Sequence, residues 1–576
     1  MPSFPPSLIL LGTAVLVAVL PNRARPWAFL LGPGVLLAYL AFSVEAGDSL
    51  HGRFLDMDVM PVRVDNLSLL FGYIFAVVTL LGGIYALHMK ERGQQVTALL
   101  YAGAAQGVVF AGDLLTLVVF WEVLAVTSVY LIWARGSSTA QAAGNRYLFV
   151  HVAGGALLLL GVLWHAGETG SLLFEHFQEN TAGWLILGGV ALNAAIPPLH
   201  AWLPDAYPES TVTGAVFLSV LTTKTAVYVL ARGFAGWDIL IWAGAAMALY
   251  GVVFAVQAND IRRVLSYDVI SKVGFMVVGV GLGTGVALNG VAALAVADVL
   301  YKSLLFMGAG SVLYATGRSK LTELGTLGGS MRLVLILFMA GALAASSLPL
   351  LSGFVTKSVV ILAAEEEHRD WLVLILYAAT AGTFLSVGLR LPYFIWLGTP
   401  DGETRMLQRL PWGMLTAMTL AALGSIGLGV YPDFLYDRLP FELDYEPYTA
   451  LHVVLTLQLL LFTGLAFWLL RRVLAPERKM LLDVDWLYRK ANKLVRMFVQ
   501  EPLETLFSGT ERLANALTSY GGKLAIEPET AWNSLRRKLR PLADTRVSQV
   551  GRPSLGTAVA AILMTFAVVT LIAFLR

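Results

Sequence analysis

Four charged residues lie in the middle of long apolar runs. They are Glu122 in LLTLVVFWEVLAVTSVYLIW, Lys224 in VTGAVFLSVLTTKTAVYVLA, Lys302 in VAALAVADVLYKSLLFMGAG and Lys357 in SSLPLLSGFVTKSVVILAA. At the centre of a membrane helix each charge costs about 2.5–3.5 kcal/mol on the mild insertion scale, so such residues face a bundle interior and mark an ion or proton path. The chemistry open to them is proton transfer. A lysine taken out of water keeps its charge at a cost, and a nearby carboxylate offsets that cost. Moving or protonating the carboxylate therefore toggles the lysine. Lys224, Lys302 and Lys357 on separate helices, bridged by water and by hydroxyls such as Thr223, Thr225 and Ser303, make a lateral relay with Glu122 as the acid at one end. Asp298 stands one helical turn before Lys302, a spacing that predicts a local ion pair between the two.

The rest of the chain must place these groups in a bilayer. It has 576 residues, of which 57% are hydrophobic and 14% charged, with a mean hydropathy of +0.72. Soluble domains carry about 25% charged residues. The net charge of +2 gives no footprint for nucleic acid. The absence of cysteine removes disulfides, thiolate zinc sites, cysteine-ligated iron–sulfur clusters and covalently attached haem. His151 and His165 fall on one span, but a second pair that would clamp a haem is missing, and no cofactor or metal is expected. There is no Walker loop, no GxGxxG after a strand and no zincin motif. The first apolar stretch, Leu8–Leu20, lacks a basic leader and reads as a retained helix.

A span needs about 20 mostly apolar residues. On that rule about sixteen helices are expected, at 6–21, 27–46, 66–89, 94–111, 113–134, 146–166, 182–203, 210–232, 238–258, 267–286, 288–316, 331–364 with a break, 370–397, 411–431, 448–471 and 554–575. Most basic residues follow odd-numbered spans: Arg23, Arg25, Lys90, Arg92, Arg135, Arg146, Arg262, Arg263, Arg318, Lys320, Arg405, Arg409, Arg471 and Arg472. The positive-inside rule then puts these loops in the cytoplasm and the N-terminus outside. The Arg53/Arg63 loop is a mild violation. Residues 478–552 turn polar and basic, and DVDWLYRKANKLVRMFVQEPLETLF sorts its apolar residues onto one helical face, as an interfacial helix does.

Two apolar segments contain helix breakers: ALNAAIPPLHAWLPDAYPES, with Pro197, Pro198 and Pro204, and SSLPLLSGFVTK, with Pro349 and Gly353. Irregular backbone at membrane depth is tolerated where it is buried or lines a wet cavity. Paired interruptions in two halves of a chain point to an inverted repeat with its sites near the midplane. The fold class is therefore an all-α polytopic membrane protein with about fourteen core helices, two inverted repeats and broken helices, plus a C-terminal amphipathic lateral helix and one further anchor. The expected divisions are N-terminal helices 1–110, first repeat 111–260, second repeat 261–400, C-terminal core helices 401–475, amphipathic segment 476–552 and anchor 553–576.

The stretches FWEVLAVTSVYLIW, PPLHAWLPDAYPESTVTGAVFLSVLTTKTAVYVLAR, QANDIRRVLSYDVISKVGFM, ADVLYKSLLFMGAG and LSGFVTK resemble the large antiporter-like subunits shared by respiratory complex I, membrane-bound hydrogenases and Mrp cation/proton antiporters, most of all the D-type Mrp subunits. The resemblance covers most of 110–360. It implies that Glu122 matches the family's fifth-helix glutamate, Lys224 the bridging lysine of the eighth, Lys302 the lysine of the eleventh and Lys357 the terminal charge of the broken twelfth. Asp298 matches an acid of the Mrp D type, here after Ala297 where a histidine is common. Asn193, seven residues before His200, stands where the family has a lysine that pairs with the fifth-helix glutamate. Asn193, His200, Asp298 and Tyr250 are the supporting polar groups, and Na⁺ beside Glu122 and Asn193 is one expectation for the missing lysine. The resemblance further implies other membrane subunits as partners, H⁺ and Na⁺ as transported ions, and a bacterial or archaeal inner membrane. The rival expectations are a proton-pumping subunit of a redox complex, a coupling subunit that supplies proton-motive force to an uptake reaction, and a scaffold that conducts nothing.

Overall fold

The structure, a computed structural model, describes residues 4–54, 57–398 and 406–478, with Leu481, Asp483, Val484 and Trp486. The expected anchor 553–576, and all but a few residues of the expected segment 476–552, lie outside the described residues. Helices α1 (Pro6–Val19) and α2 (Arg25–Phe42) lead to a hairpin of β1 (Ser49–Phe54) and β2 (Met57–Arg63). The hairpin stands where the sequence suggests a plain loop. Its Met60 amide donates to Asp113 Oδ2 at 3.0 Å, and the Gly112 amide donates to Met60 O at 2.9 Å.

Helices α3 (Asn66–Tyr85), α4 (Arg92–Val109), α5 (Leu114–Trp133) and α6 (Ser138–Thr169) follow. Then come the interrupted pairs α7 (Thr181–Asn193) with α8 (Trp202–Ala206), and α9 (Gly214–Leu218) with α10 (Leu221–Gly233). Helices α11 (Asp238–Gln257), α12 (Ile261–Leu282) and α13 (Gly285–Thr316) precede a further interrupted pair, α14 (Arg332–Ala345) and α15 (Ser352–Glu366). Last are α16 (Asp370–Thr383), which continues through π-helical turns to Leu397, α17 (Trp412–Val430), the short α18 (Asp433–Tyr436) and α19 (Ala450–Leu470). Eleven of the described helical stretches are long and apolar enough to cross a membrane. The chain is an all-α polytopic membrane protein.

Two helices start earlier than hydropathy suggests. Ser137 caps α6 by accepting the Ala140 amide at 3.1 Å, which places Arg146 inside the helix. Asp260 caps α12 by accepting the Arg262 and Arg263 amides at 2.9 and 3.1 Å. An N-cap side chain satisfies amides that the first turn leaves unpaired, so the helix begins at the cap and not at the first apolar residue.

The two halves use one plan. Each begins at a capping aspartate, Asp113 or Asp260, that also forms an isolated antiparallel bridge, to Leu173 or Lys320. Each then has a helix of 20 or 22 residues and one of 32, the latter closed by a left-handed glycine, Gly170 or Gly317. Each continues into a broken helix whose first half ends in the same turn. Ala195 and Ser347 have φ of 58° and 63°. The amides of Ile196 and Leu348 donate five residues back, to Ala191 O and Leu343 O, both at 3.0 Å. This is a Schellman closure built without glycine. Five helical stretches separate Asp113 from Asp260, namely α5, α6, α7–α8, α9–α10 and α11, an odd number, as the expected inverted repeat requires. Helix α13 is buried along nearly its whole length and forms the middle of the bundle.

Candidate proton path

Lys224 sits in the first turn of α10, just after the interruption at Ser219–Val220. Its ammonium pairs with Asp298 of α13 and lies 3.4 Å from Ser219 O and 3.5 Å from Thr223 Oγ1. The expected local pair between Asp298 and Lys302 is therefore replaced by two interhelical pairs. Asp298 goes to Lys224, and Lys302 goes to Asp268 of α12. Both residues of each pair are fully buried. Each buried charge thereby meets an opposite charge on a facing helix, and that attraction offsets part of the cost of taking both out of water.

Asp268 is the branch point. Besides Lys302 it faces Lys272, one turn along α12, at 3.7 Å, and it accepts the Thr383 hydroxyl at 3.1 Å. Lys272 Nζ in turn donates to Thr383 Oγ1 at 2.5 Å. Lys272 and Lys357 both approach the Phe275 ring, at 5.5 and 5.6 Å from its centroid. Lys357 Nζ donates to Ala345 O, the last carbonyl of α14, at 2.5 Å. A cation at a helix C-terminus is favoured by the exposed carbonyls there. Lys224–Asp298, Lys302–Asp268–Lys272 and Lys357 thus form a buried row across α10, α13, α12 and α15. Asp268 and Lys272 escaped the sequence reading, although SYDVISK shows two charges four apart.

Glu122 stands apart. It is half-buried on α5 and makes no ion pair or hydrogen bond among the described residues. Its carboxylate lies against Gly155 of α6, where any Cβ would collide with it. Asn193, the last residue of α7, is buried with both amide atoms unpaired among the described residues. The structure records no contact that joins Glu122 to Asn193, and no group of three acidic or histidine side chains that could hold a metal ion exists among the described residues. Between α5 and α10 runs a chain of hydroxyls. Ser128 Oγ meets Tyr147 OH at 2.8 Å, Tyr147 OH meets Thr222 Oγ1 at 3.4 Å, and Thr222 Oγ1 meets Tyr101 OH at 2.5 Å. Of the hydroxyls expected to bridge the lysines, Thr223 touches Lys224, Ser303 bonds its own helix at Leu300 O, and Thr225 has no partner among the described residues. His200 and Tyr250 meet each other as an edge-on ring pair 4.5 Å apart, away from the row's ion pairs.

Residues 111–383 match the NADH:quinone oxidoreductase/Mrp antiporter transmembrane family. The match takes in a little under half of the chain's 576 residues, so it shows a likeness to that family over this segment. Two relatives sit at the same distance from the chain. It is 29% identical over 353 residues to the D subunit of the Na(+)/H(+) antiporter of Alkalihalophilus pseudofirmus, a match that covers 58% of this chain and 71% of that one. It is also 29% identical over 377 residues to the N subunit of the NADH-quinone oxidoreductase of Desulforudis audaxviator, a match that covers 59% and 75%. A chain of the Mrp complex from Dietzia sp. DQ12-45-1b superposes with a TM-score of 0.68 at 23% identity, over 78% of this chain and 98% of that one, a likeness of fold. Every member of the buried row, with Glu122 and Asn193, falls inside the segment that matches the antiporter family.

Proposed function

We propose that this protein moves protons along the buried Lys/Asp row as part of a multi-subunit membrane complex, most like the D-type subunits of Mrp Na⁺/H⁺ antiporters. The observation that carries this reading is the row itself, in which three buried amines pair with two carboxylates on neighbouring helices and a fourth, Lys357, rests on the Ala345 carbonyl. A proton that leaves one amine has another base within a side chain's reach, and the two aspartates stabilise whichever amine is charged. Glu122, at the edge of the bundle on α5, supplies the acid at one end, and the hydroxyls of Ser128, Tyr147 and Thr222 support the step from α5 towards α10. The cytoplasm lies on the side of the basic loops. Arg135 and Arg146 pair with Glu209 and Asp205, and Arg262 bonds Pro208 O and Ser210 O, so these loops share one face.

Alanine at Lys224 or Glu122 is expected to abolish proton movement in vesicles that hold the assembled complex, with normal assembly. Wild-type flux in both variants would end the proposal. The second reading, a proton-pumping subunit of a complex I-like redox enzyme, is favoured equally by the NADH-quinone oxidoreductase relative. Co-purifying chains decide between them: small antiporter subunits support the first, and iron–sulfur and quinone-binding subunits the second. Asn193→Lys tests the departure from the family pattern. A higher flux or a shifted pH optimum marks a retuned path, and loss of Na⁺ dependence marks Asn193 as a cation ligand.

A further inference from the structure

His200 follows the break after α7, and its side chain is fully buried. Its Nε2 lies 3.2 Å from Oδ1 of Asp483, a residue of the polar segment beyond α19. The same carboxylate accepts the Tyr267 hydroxyl at 2.6 Å and the Tyr250 hydroxyl. Three elements, the broken helix, α11 and α12, thus converge on an acid more than two hundred residues away in sequence. Arg390 secures the approach, with Nε donating to Leu474 O at 3.0 Å and Nη1 to Ala258 O at 2.9 Å. Burial alone would push the Asp483 carboxyl up, but the hydrogen bonds from His200, Tyr250 and Tyr267 outweigh it and hold the group down at about 2.

An ionised carboxylate only accepts, so the Nε2 of His200 must carry a proton. The opposite nitrogen, Nδ1, is buried with no partner among the described residues. In neutral imidazole that nitrogen is an acceptor, and the partner of the first nitrogen fixes this tautomer. The other charged or titratable groups at the cluster are Tyr250 on α11 and Tyr267 and Arg263 on α12. Along α12, Tyr267 of the cluster stands between Arg262, which bonds Pro208 O and Ser210 O, and Asp268 of the row.

We propose that Asp483 is a positioning residue for proton exchange between the basic face and the row: it holds Nε2–H of His200 on its carboxylate and leaves Nδ1 as the group that takes up and hands on the proton. A proton arriving at Nδ1 gives an imidazolium balanced by the Asp483 carboxylate, and its departure restores the neutral ring. No other bond changes. Asp483 thereby becomes part of the conduction apparatus. This inference rests on the proposed relay.

The test uses vesicles with the full chain in its assembled complex and a pH-sensitive dye. Asp483→Asn, which keeps one acceptor oxygen but loses the charge, is expected to lower proton flux at least about tenfold, a conservative figure beside the roughly hundredfold or more that general acid–base groups contribute. Asp483→Glu is expected to recover at least half of the wild-type flux. The Asn variant should also lose the acidic limb of the flux–pH profile. Wild-type flux and profile in Asp483→Asn would overturn the proposal, and so would equal losses in the Asn and Glu variants, which would mark a docking contact. A His200→Gln variant covers the case in which Asp483→Asn does not assemble. Its amide can still donate to the Asp483 carboxylate but offers no basic second nitrogen, so flux should fall at least about tenfold, and wild-type flux overturns the proposal. Lys224→Ala in the same vesicles separates the two readings: an inactive Lys224→Ala beside a normal Asp483→Asn removes this inference alone, and normal flux in Lys224→Ala removes the relay.

Discussion

At the scale of single residues, Asp268 carries more than any group that hydropathy singles out, because it serves two buried lysines at once. Asp268→Asn leaves Lys302 and Lys272 without their counter-charge. Stranding a buried charge in this way costs about 3–5 kcal/mol. Thermal unfolding of the purified complex should show a clear drop in Tm, and a further Lys302→Met change should recover part of it, since residues in contact do not add independently. A Tm within a degree of wild type would mean that the pair contributes nothing to the fold. Glu122, Lys224, Lys302 and Lys357 were legible in the sequence because apolar neighbours surround them on both sides. Asp268 and Lys272 were hidden by a boundary. A span begun at 267 puts both in its first turns, where charge is cheap, but the Asp260 cap starts the helix at Ile261 and carries Lys272 three turns deep. Asp483 gave no signal, because an acid in a polar segment is unremarkable until its partners are known.

At the scale of elements, the close approach of α5 and α6 at Gly155 sets where the Glu122 carboxylate can rest. A Gly155→Val change occupies that space and forces the carboxylate away from α6. Flux should fall at least about tenfold with the yield of assembled complex unchanged, as measured in the same vesicles, and unaltered flux would show that the resting place of Glu122 is immaterial. The docking of the segment around Asp483 has its own pH signature. The docked carboxyl lies below its ordinary value of 3.8, so the stabilisation is complete above about pH 4 and is lost as pH falls towards 2. Acid-protease digestion should therefore spare the chain at Asp483 near pH 5 and cut it there increasingly below about 4. Cleavage that does not change across this range would exclude the carboxylate as the docking group. Broken helices were readable from Pro197, Pro198 and Pro349, yet the turn that closes them was not, because Ala195 and Ser347 adopt the left-handed conformation without the glycine that usually announces it.

At the scale of the whole molecule, the basic loops make orientation testable in a chain that has no cysteine of its own. A membrane-impermeant maleimide should label Glu179→Cys in intact cells and Ser138→Cys only after permeabilisation, and the reverse pattern would overturn the outward N-terminus. Most described spans could be placed from hydropathy, since length and apolarity alone decide what crosses a bilayer. The β1–β2 hairpin could not, because its fit depends on contacts with Asp113 and Gly112 that no local pattern encodes. One property belongs to the interior as a unit. The row holds four amines, Lys224, Lys272, Lys302 and Lys357, and its described ion pairs use two carboxylates, Asp268 and Asp298, with Lys357 paired to neither. With both acids ionised, that row is electroneutral only when two of the four amines are without a proton, and a surplus of charge in so dry a setting is strongly opposed. A row with equal numbers of acids and bases would be neutral when full and could accept nothing. This one balances while it still has capacity for two.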